Sequence, residues 1–181
     1  MLRTPAPLIG ALGLAGKAVL NDPKTLIQRF VIDLNTYTGL KAAVSDISHD
    51  QWLAPHKAKD LTLNCGAVYV FSLNSLSESP AGPGRVIKVG KAGANSNARF
   101  RYQHYTAGSA MSTLAGAIEN NPLIWGYIGY PGKSVAVGDW IRENTDRDNF
   151  YISRPELIGA FEVYAKANLG PVFEGSLSSK A

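Results

Sequence analysis

The side chains that stand out for their chemistry cluster in one stretch. Arg85, Lys88, Lys91, Arg99, Arg101 and His104 lie in a segment with no acidic residue between Glu78 and Glu119. A surface of one sign suits the phosphate backbone of a nucleic acid. The bland alternative is buried strand and Gly/Ser loop, but the basic residues sit among strand and helix signals. Glu162 is the carboxylate of interest. Its neighbours at helical spacing are Ile158, Gly159, Ala165 and Lys166. That spacing puts it at the edge of an apolar face beside a small residue. There it can enter a cleft, or simply pair with Lys166. Tyr69 alone reads as strand core, and Arg99 alone as a solvated helix residue.

The elements that must position these residues follow from pattern. Asp22-Pro23 is an N-cap with proline at the first helical position. Leu26, Phe30 and Leu34 recur behind it, so a helix is predicted from Pro23 to Tyr37. Ser48 with Gln51 reads as a capping box for a short helix toward Lys59. Residues 1–60 thus form a helical N-terminal extension, and residues 61–181 a second unit. Ala67-Val68-Tyr69-Val70-Phe71 is a strand. The Ser75–Gly84 loop leads to a second, Arg85 to Gly90, forming an antiparallel hairpin. Helices are predicted from Ser96 to Tyr105 and from Ser112 to Asn120. Leu123 to Ile128 is a strand or a buried turn. Val137 to Thr145 is a short helix with Trp140 and Ile141 inward. Phe150-Tyr151-Ile152 is a third strand. Ser153 and Glu156 form a capping box for a helix bearing Leu157, Phe161, Tyr164 and Ala165 on one face, which ends at Gly170-Pro171. The fold class is therefore α/β of the α+β type, a small three-stranded antiparallel sheet flanked by helices.

Composition bounds the rest. The chain has 181 residues, 45% hydrophobic and 18% charged, enough apolar content for a packed core. Its 18 basic and 14 acidic side chains give +4 and a pI near 9.2, which permits a polyanionic partner without proving one. Cys65 stands alone, so no internal disulfide forms, as suits a reducing, cytoplasmic setting. The histidines, His49, His56 and His104, are scattered without metal-ligand spacing. The apolar run from Ala6 to Ala15 is broken by Pro7 and glycines and followed by Lys17, too short to span a membrane. It reads as a packed or partly mobile segment, with a cleaved secretory signal as the lesser alternative, and no membrane association is expected.

The element order, a strand with Tyr69, a strand ending in Gly90, a basic helix with Arg99 and a later helix with Glu162, resembles the GIY-YIG nuclease family. Ala67-Val68-Tyr69, with Gly66 before it, stands for the first motif, and Lys88-Val89-Gly90 for the second. Asn95-Ser96-Asn97-Ala98-Arg99-Phe100 resembles the family's arginine helix. Phe161-Glu162, with Leu169, Pro171 and Phe173 after it, resembles its glutamate helix and exit. The resemblance covers Gly66 to Gly175. Trp140-Ile141 through Thr145, Arg147, Asn149 and Phe150 also resembles one subgroup of uncharacterised members, with no role attached.

The resemblance implies a metal-dependent DNA endonuclease. Tyr69 would take the proton of the attacking water, Arg99 would bind the phosphate with its planar fork, and Glu162 would hold one Mg²⁺ or Mn²⁺. A free tyrosine ionises near pH 10, so cations such as Lys88 or Lys91 are expected to lower it. Lys91, Arg101 and Arg85 are the further expected DNA contacts. Many members place a histidine four residues after the arginine. His104 comes one later, an offset of about 100° on an α-helix, so it either joins the phosphate site or lies on the surface. Arg99 is preferred to Arg101 because Phe100 follows it.

The chain departs from the family pattern at three places. Lys88 replaces the second motif's tyrosine, Ala67 replaces the first motif's glycine, and Glu174 stands where many members have asparagine. The loss of a tyrosine hydroxyl at Lys88 bears most on the site, although a lysine there can contact phosphate. Tyr127-Ile128-Gly129 spells the second motif but no basic helix follows. Gly84 to Lys91 falls one residue off a phosphate-binding loop and lacks its Ser or Thr. The alternative function is a non-catalytic module that binds nucleic acid or protein on the same fold. The N-terminal helices are the expected docking surface for a second copy or a protein partner.

Overall fold

The computed structural model describes residues 22–109 and 113–173. The apolar run at 6–15 and the Glu174 position lie outside them. Among the described residues four strands form one antiparallel sheet in the order β1-β4-β2-β3. They are β1 (Ile47–Trp52), β2 (Gly66–Leu73), β3 (Val86–Ala92) and β4 (Thr145–Ile152). The chain is thus of mixed α+β type, with one strand more than predicted.

The extra strand is β1. Its interior, Ser48-His49-Asp50-Gln51, carries no apolar pattern, and the apparent capping box there caps nothing. Pairing with β4, from Ile47 opposite Ile152 to Trp52 opposite Arg147, makes it a strand. An edge strand can be this polar, because charged side chains on an edge guard it against further pairing.

β2 is the central element. It pairs with β4 on one side and β3 on the other, and only Ser72 is not fully buried. Its near-continuous apolar run reflects cover on both faces. Tyr69, Phe71 and Leu73 enter one core with Trp52, Phe100, Leu114 and Trp140. Val68 and Val70 enter the other, with Phe30, Phe150 and Phe161.

Two long helices cover this second face. In α1 (Pro23–Thr38), the Asp22 carboxylate accepts from the Thr25 N–H at 2.9 Å, and Gly39 closes the helix at φ 69°. Leu26, Ile27, Phe30, Val31 and Leu34 face inward, and the Phe30 ring lies 4.9 Å from that of Phe161. Residues 23–52 therefore supply one helix and one strand of the common core. The covering partner of α1, residues Pro155–Leu169, ends on Gly170 as predicted. Its start differs. Arg154 is the N-cap without a side-chain bond, Ser153 Oγ donates to the Asp46 carbonyl, and Arg154 holds Glu156 at 2.8 Å.

Short helices cover the first face. They are α2 (Asn97–Arg101), α3 (Leu114–Glu119), α4 (Trp125–Ile128) and α5 (Val137–Asn144), and the Pro155–Leu169 helix is α6. The helix predicted from Ser96 to Tyr105 stops at Arg101. The chain leaves α geometry at Tyr102 (φ −136°) and re-forms as a single 3₁₀ turn, Gln103–Tyr105. Leu123–Ile128 is neither strand nor buried turn but a 3₁₀ turn running into α4, with Tyr127 half-exposed and Gly129 as its cap. Among the described residues no helix is long and apolar enough to cross a membrane.

Candidate functional site: a tyrosine, a basic rim and one carboxylate

Tyr69 sits mid-β2 opposite Gly90 of β3. A Cβ built on Gly90 would lie 2.6 Å from Tyr69 Cε2 and 3.0 Å from its hydroxyl. The glycine therefore exists to let the ring lie across β3. That is a packing reason for a glycine opposite Tyr69 in this sheet.

The Tyr69 oxygen lies 2.5 Å from His104 Nε2 and 3.2 Å from the Lys91 carbonyl. The direction of the first bond follows from the other side of the imidazole. His104 Nδ1 accepts the Leu114 N–H at 3.1 Å, so it carries no proton. Burial, reinforced by Arg147, Lys88 and Arg99, holds His104 well below its ordinary pKa, so the ring is neutral. Its one proton is then on Nε2 and is donated to the Tyr69 oxygen. The Tyr69 hydroxyl in turn donates to the Lys91 carbonyl. His104 is thus no surface histidine: it is buried, because the break after Arg101 re-aims it. The 100° offset expected of a continuous helix does not apply.

Tyr69 itself is buried, and burial pushes its hydroxyl above the ordinary value. Arg147 and Arg99 pull the other way without reversing it, and Glu162 adds to the rise. The cations acting on the phenol are therefore arginines, not the lysines expected from sequence. Arg99 lines an open groove of about 440 Å³ with Lys91, Gly93, Ser96, Pro155 and Gly159.

Glu162, on α6, reaches the same edge of β3. Its Oε2 meets Lys91 Nζ at 2.9 Å and its Oε1 meets Lys166 Nζ at 2.8 Å. Burial raises its pKa, but the two ammoniums outweigh this and the net shift is downward. Lys88 is buried nearby. Burial first, then Lys166 and Arg99, lower its ammonium to about 8, with Glu162 opposing them. The structure thus brings Tyr69, His104, Lys88, Lys91, Arg99 and Glu162 together, joined by Lys166.

Two expected contacts lie elsewhere. Arg101 points off the other side of α2 to Asp60 at 3.1 Å, while Asn97 bonds the same carboxylate. Arg85 precedes β3 at its far end, six residues from Lys91, or roughly 20 Å along a strand.

A divalent cation at Glu162 fits the donor chemistry. The carboxylate is ionised, hard and paired to Lys91 of the groove wall, and hydrated Mg²⁺ needs only one or two carboxylates from a protein. No three His, Cys, Asp or Glu side chains cluster among the described residues, so water and substrate oxygens would supply the remaining ligands. Both Glu162 oxygens carry an ammonium, so a cation there would have to displace Lys91 or Lys166.

Sequence reasoning missed Arg147. Its guanidinium is fully buried between the rings of Trp52, Tyr69, Phe71 and Phe100, 4.4 to 5.1 Å from their centroids. Residue type argues for the surface, and Arg147 precedes the strand predicted from Phe150, so its place inside β4 comes from the pairing with β1 and β2.

No protein-family model matches the chain, and no curated protein or solved structure matches it.

Proposed function

We propose that this protein is a divalent-metal-dependent DNA endonuclease with a GIY-YIG-like centre. What supports the reading is one arrangement. A tyrosine, a neutral histidine bonded to its oxygen, an arginine, lysines and an ionised carboxylate share one edge of the sheet. Arg99 and Lys91 line the groove a phosphodiester would enter, the arginine offering its planar fork to two oxygens. Lys88 places a third positive charge behind them. Glu162 would hold Mg²⁺ or Mn²⁺ in place of an ammonium, and the ion would supply charge stabilisation at the phosphate and leaving oxygen. Tyr69 acts as general base in its ionised form, with His104 Nε2–H donating to the phenolate oxygen. Cleavage of plasmid DNA with Mg²⁺ or Mn²⁺ tests this, and Glu162→Ala and Arg99→Ala are expected to abolish it. Survival of full activity in either variant would overturn the assignment.

A second reading has its own observation. Tyr69 is completely buried, and both Glu162 oxygens are taken. A module that grips a phosphate backbone with Lys91 and Arg99 needs no access to Tyr69. DNA binding without cleavage in any divalent metal, across supercoiled, linear, branched and single-stranded substrates, would select this reading.

A further inference from the structure

Arg147 is a buried cation whose hydrogen-bond and ring contacts are all to neutral groups. Among the described residues no carboxylate pairs with it. Its Nη1 donates to the Phe100 carbonyl at 2.8 Å and to the Tyr105 oxygen at 3.3 Å, while Nε and Nη2 have no partner. Tyr105 passes the contact on to His56 Nδ1 at 3.2 Å. Burial lowers His56 to about 4, so that ring is neutral. An unpaired buried charge is costly. Aromatic faces and two hydrogen bonds offset part of that cost, but the guanidinium still lacks a counter-anion. Of the groups it touches, only Tyr69 and Tyr105 can become one.

We propose that Arg147 is a positioning residue whose guanidinium, stacked 4.6 Å from the Tyr69 ring centre, is the built-in counter-charge for the Tyr69 phenolate. A phenolate spreads negative charge into its ring, so a cation over the face stabilises the ionised form more than the phenol. Tyr69 and Tyr105 are not equivalent in this. Both phenols donate to a neutral acceptor and both meet Arg147, Tyr105 at its oxygen (3.3 Å) and Tyr69 at its ring face, but only the Tyr69 oxygen also accepts from the His104 Nε2–H and faces a second guanidinium, Arg99. Tyr69 is also met by the Lys91 carbonyl from β3 and the Glu162 charge from α6, both of which oppose ionisation. Arg147 and Arg99 both pull Tyr69 toward the phenolate, Arg147 through its charge over the ring face. The use made of this phenolate, as the base that takes water's proton, rests on the nuclease reading; the electrostatic coupling does not.

The test is the titration of Tyr69, read as the difference in tyrosinate absorbance between the full chain and its Tyr69→Phe variant. In an Arg147→Met background, the Tyr69 titration is expected to move up by about one pH unit or more. Arg147→Met keeps length and removes an unpaired buried charge, so its melting temperature is expected to hold or rise. Arg147→Lys keeps the charge and should leave the titration within about half a unit, which provides a readout if the Met variant fails to fold. A Tyr69 titration unchanged in Arg147→Met, or displaced in Arg147→Lys as far as expected for Met, overturns the proposal. In cleavage, Arg147→Met should lower kcat about tenfold at neutral pH with recovery at higher pH and little change in KM. A chain that never cleaves DNA but shows the Met-specific shift supports the coupling and overturns only the nuclease reading.

Discussion

At Tyr69 burial and the two arginines pull in opposite directions, and burial wins. The hydroxyl is therefore protonated at neutral pH, and the ionised fraction grows about tenfold per pH unit until its raised pKa is reached. A base in that position makes kcat climb with the same slope through the neutral and alkaline range. Lys88 works against this in binding, because its ammonium is lost as pH rises through about 8. The expected profile is a kcat that keeps rising while kcat/KM flattens above about 8. Single-turnover rates against pH check it, and a kcat flat across neutrality would mean that Tyr69 is not the base. Glu162 is governed by its two lysines. Lys166→Met frees Oε1, so the Mg²⁺ concentration for half-maximal cleavage should fall several-fold, on the order of the loss of one competing hydrogen-bonded charge. A metal titration of variant and wild type reads this directly.

The elements position these residues with little slack. Gly90→Ala sets a methyl 2.6 Å from the Tyr69 ring and is expected to cost about 1–3 kcal/mol of stability, as overpacking does, besides displacing the hydroxyl from His104. Denaturant midpoints and cleavage rates measure the two effects separately. Much of this scaffold was legible in the sequence. The hairpin carrying Tyr69 and Gly90 reads from β-branched runs on either side of a Pro/Gly loop. α1 reads from its Asp-Pro start, and α6 from its Gly-Pro stop. What was not legible depends on partners far along the chain. β1 has no apolar alternation and is a strand because β4 pairs with it. The break at Tyr102 has no Gly or Pro to announce it, yet it decides that His104 faces Tyr69. Arg147 carries a side chain whose type says surface, and only the aromatic rings converging from β1, β2 and α2 make it a core residue. Tyr69, Arg99 and Glu162 were singled out from element order, and the fold brings the three near one another. The lysine pair on Glu162 was half visible, since Lys166 follows it by one helical turn.

For the whole molecule, the sheet is covered on both faces, and α1 is part of that cover. Removing residues 1–60 strips α1 and β1, and uncovers Val68, Val70, Phe150 and Phe161. The fragment 61–181 is therefore expected to aggregate or to melt without cooperativity, and a sharp calorimetric transition from it would contradict this packing. α1 spends its apolar stripe inside the fold, which leaves Ile32 and Tyr37 as its large exposed apolar side chains. Charge acts at the same scale. DNA affinity should fall with salt, and Lys91→Met should reduce the slope of log affinity against log salt by about one while weakening all sequences alike. Arg101→Met, whose charge is spent on Asp60, should change that slope far less.

The central claim is that Tyr69, Arg99 and Glu162 form one phosphodiester-cleaving centre. It is tested most directly by incubating supercoiled plasmid with the full chain in Mg²⁺ or Mn²⁺, beside Arg99→Ala, Glu162→Ala and a chelator control. The account predicts nicked and linear DNA from the wild type in the presence of metal alone, and intact plasmid from both variants and with chelator. Intact plasmid from a folded, DNA-binding wild type, or cleavage that persists without Glu162, would contradict it.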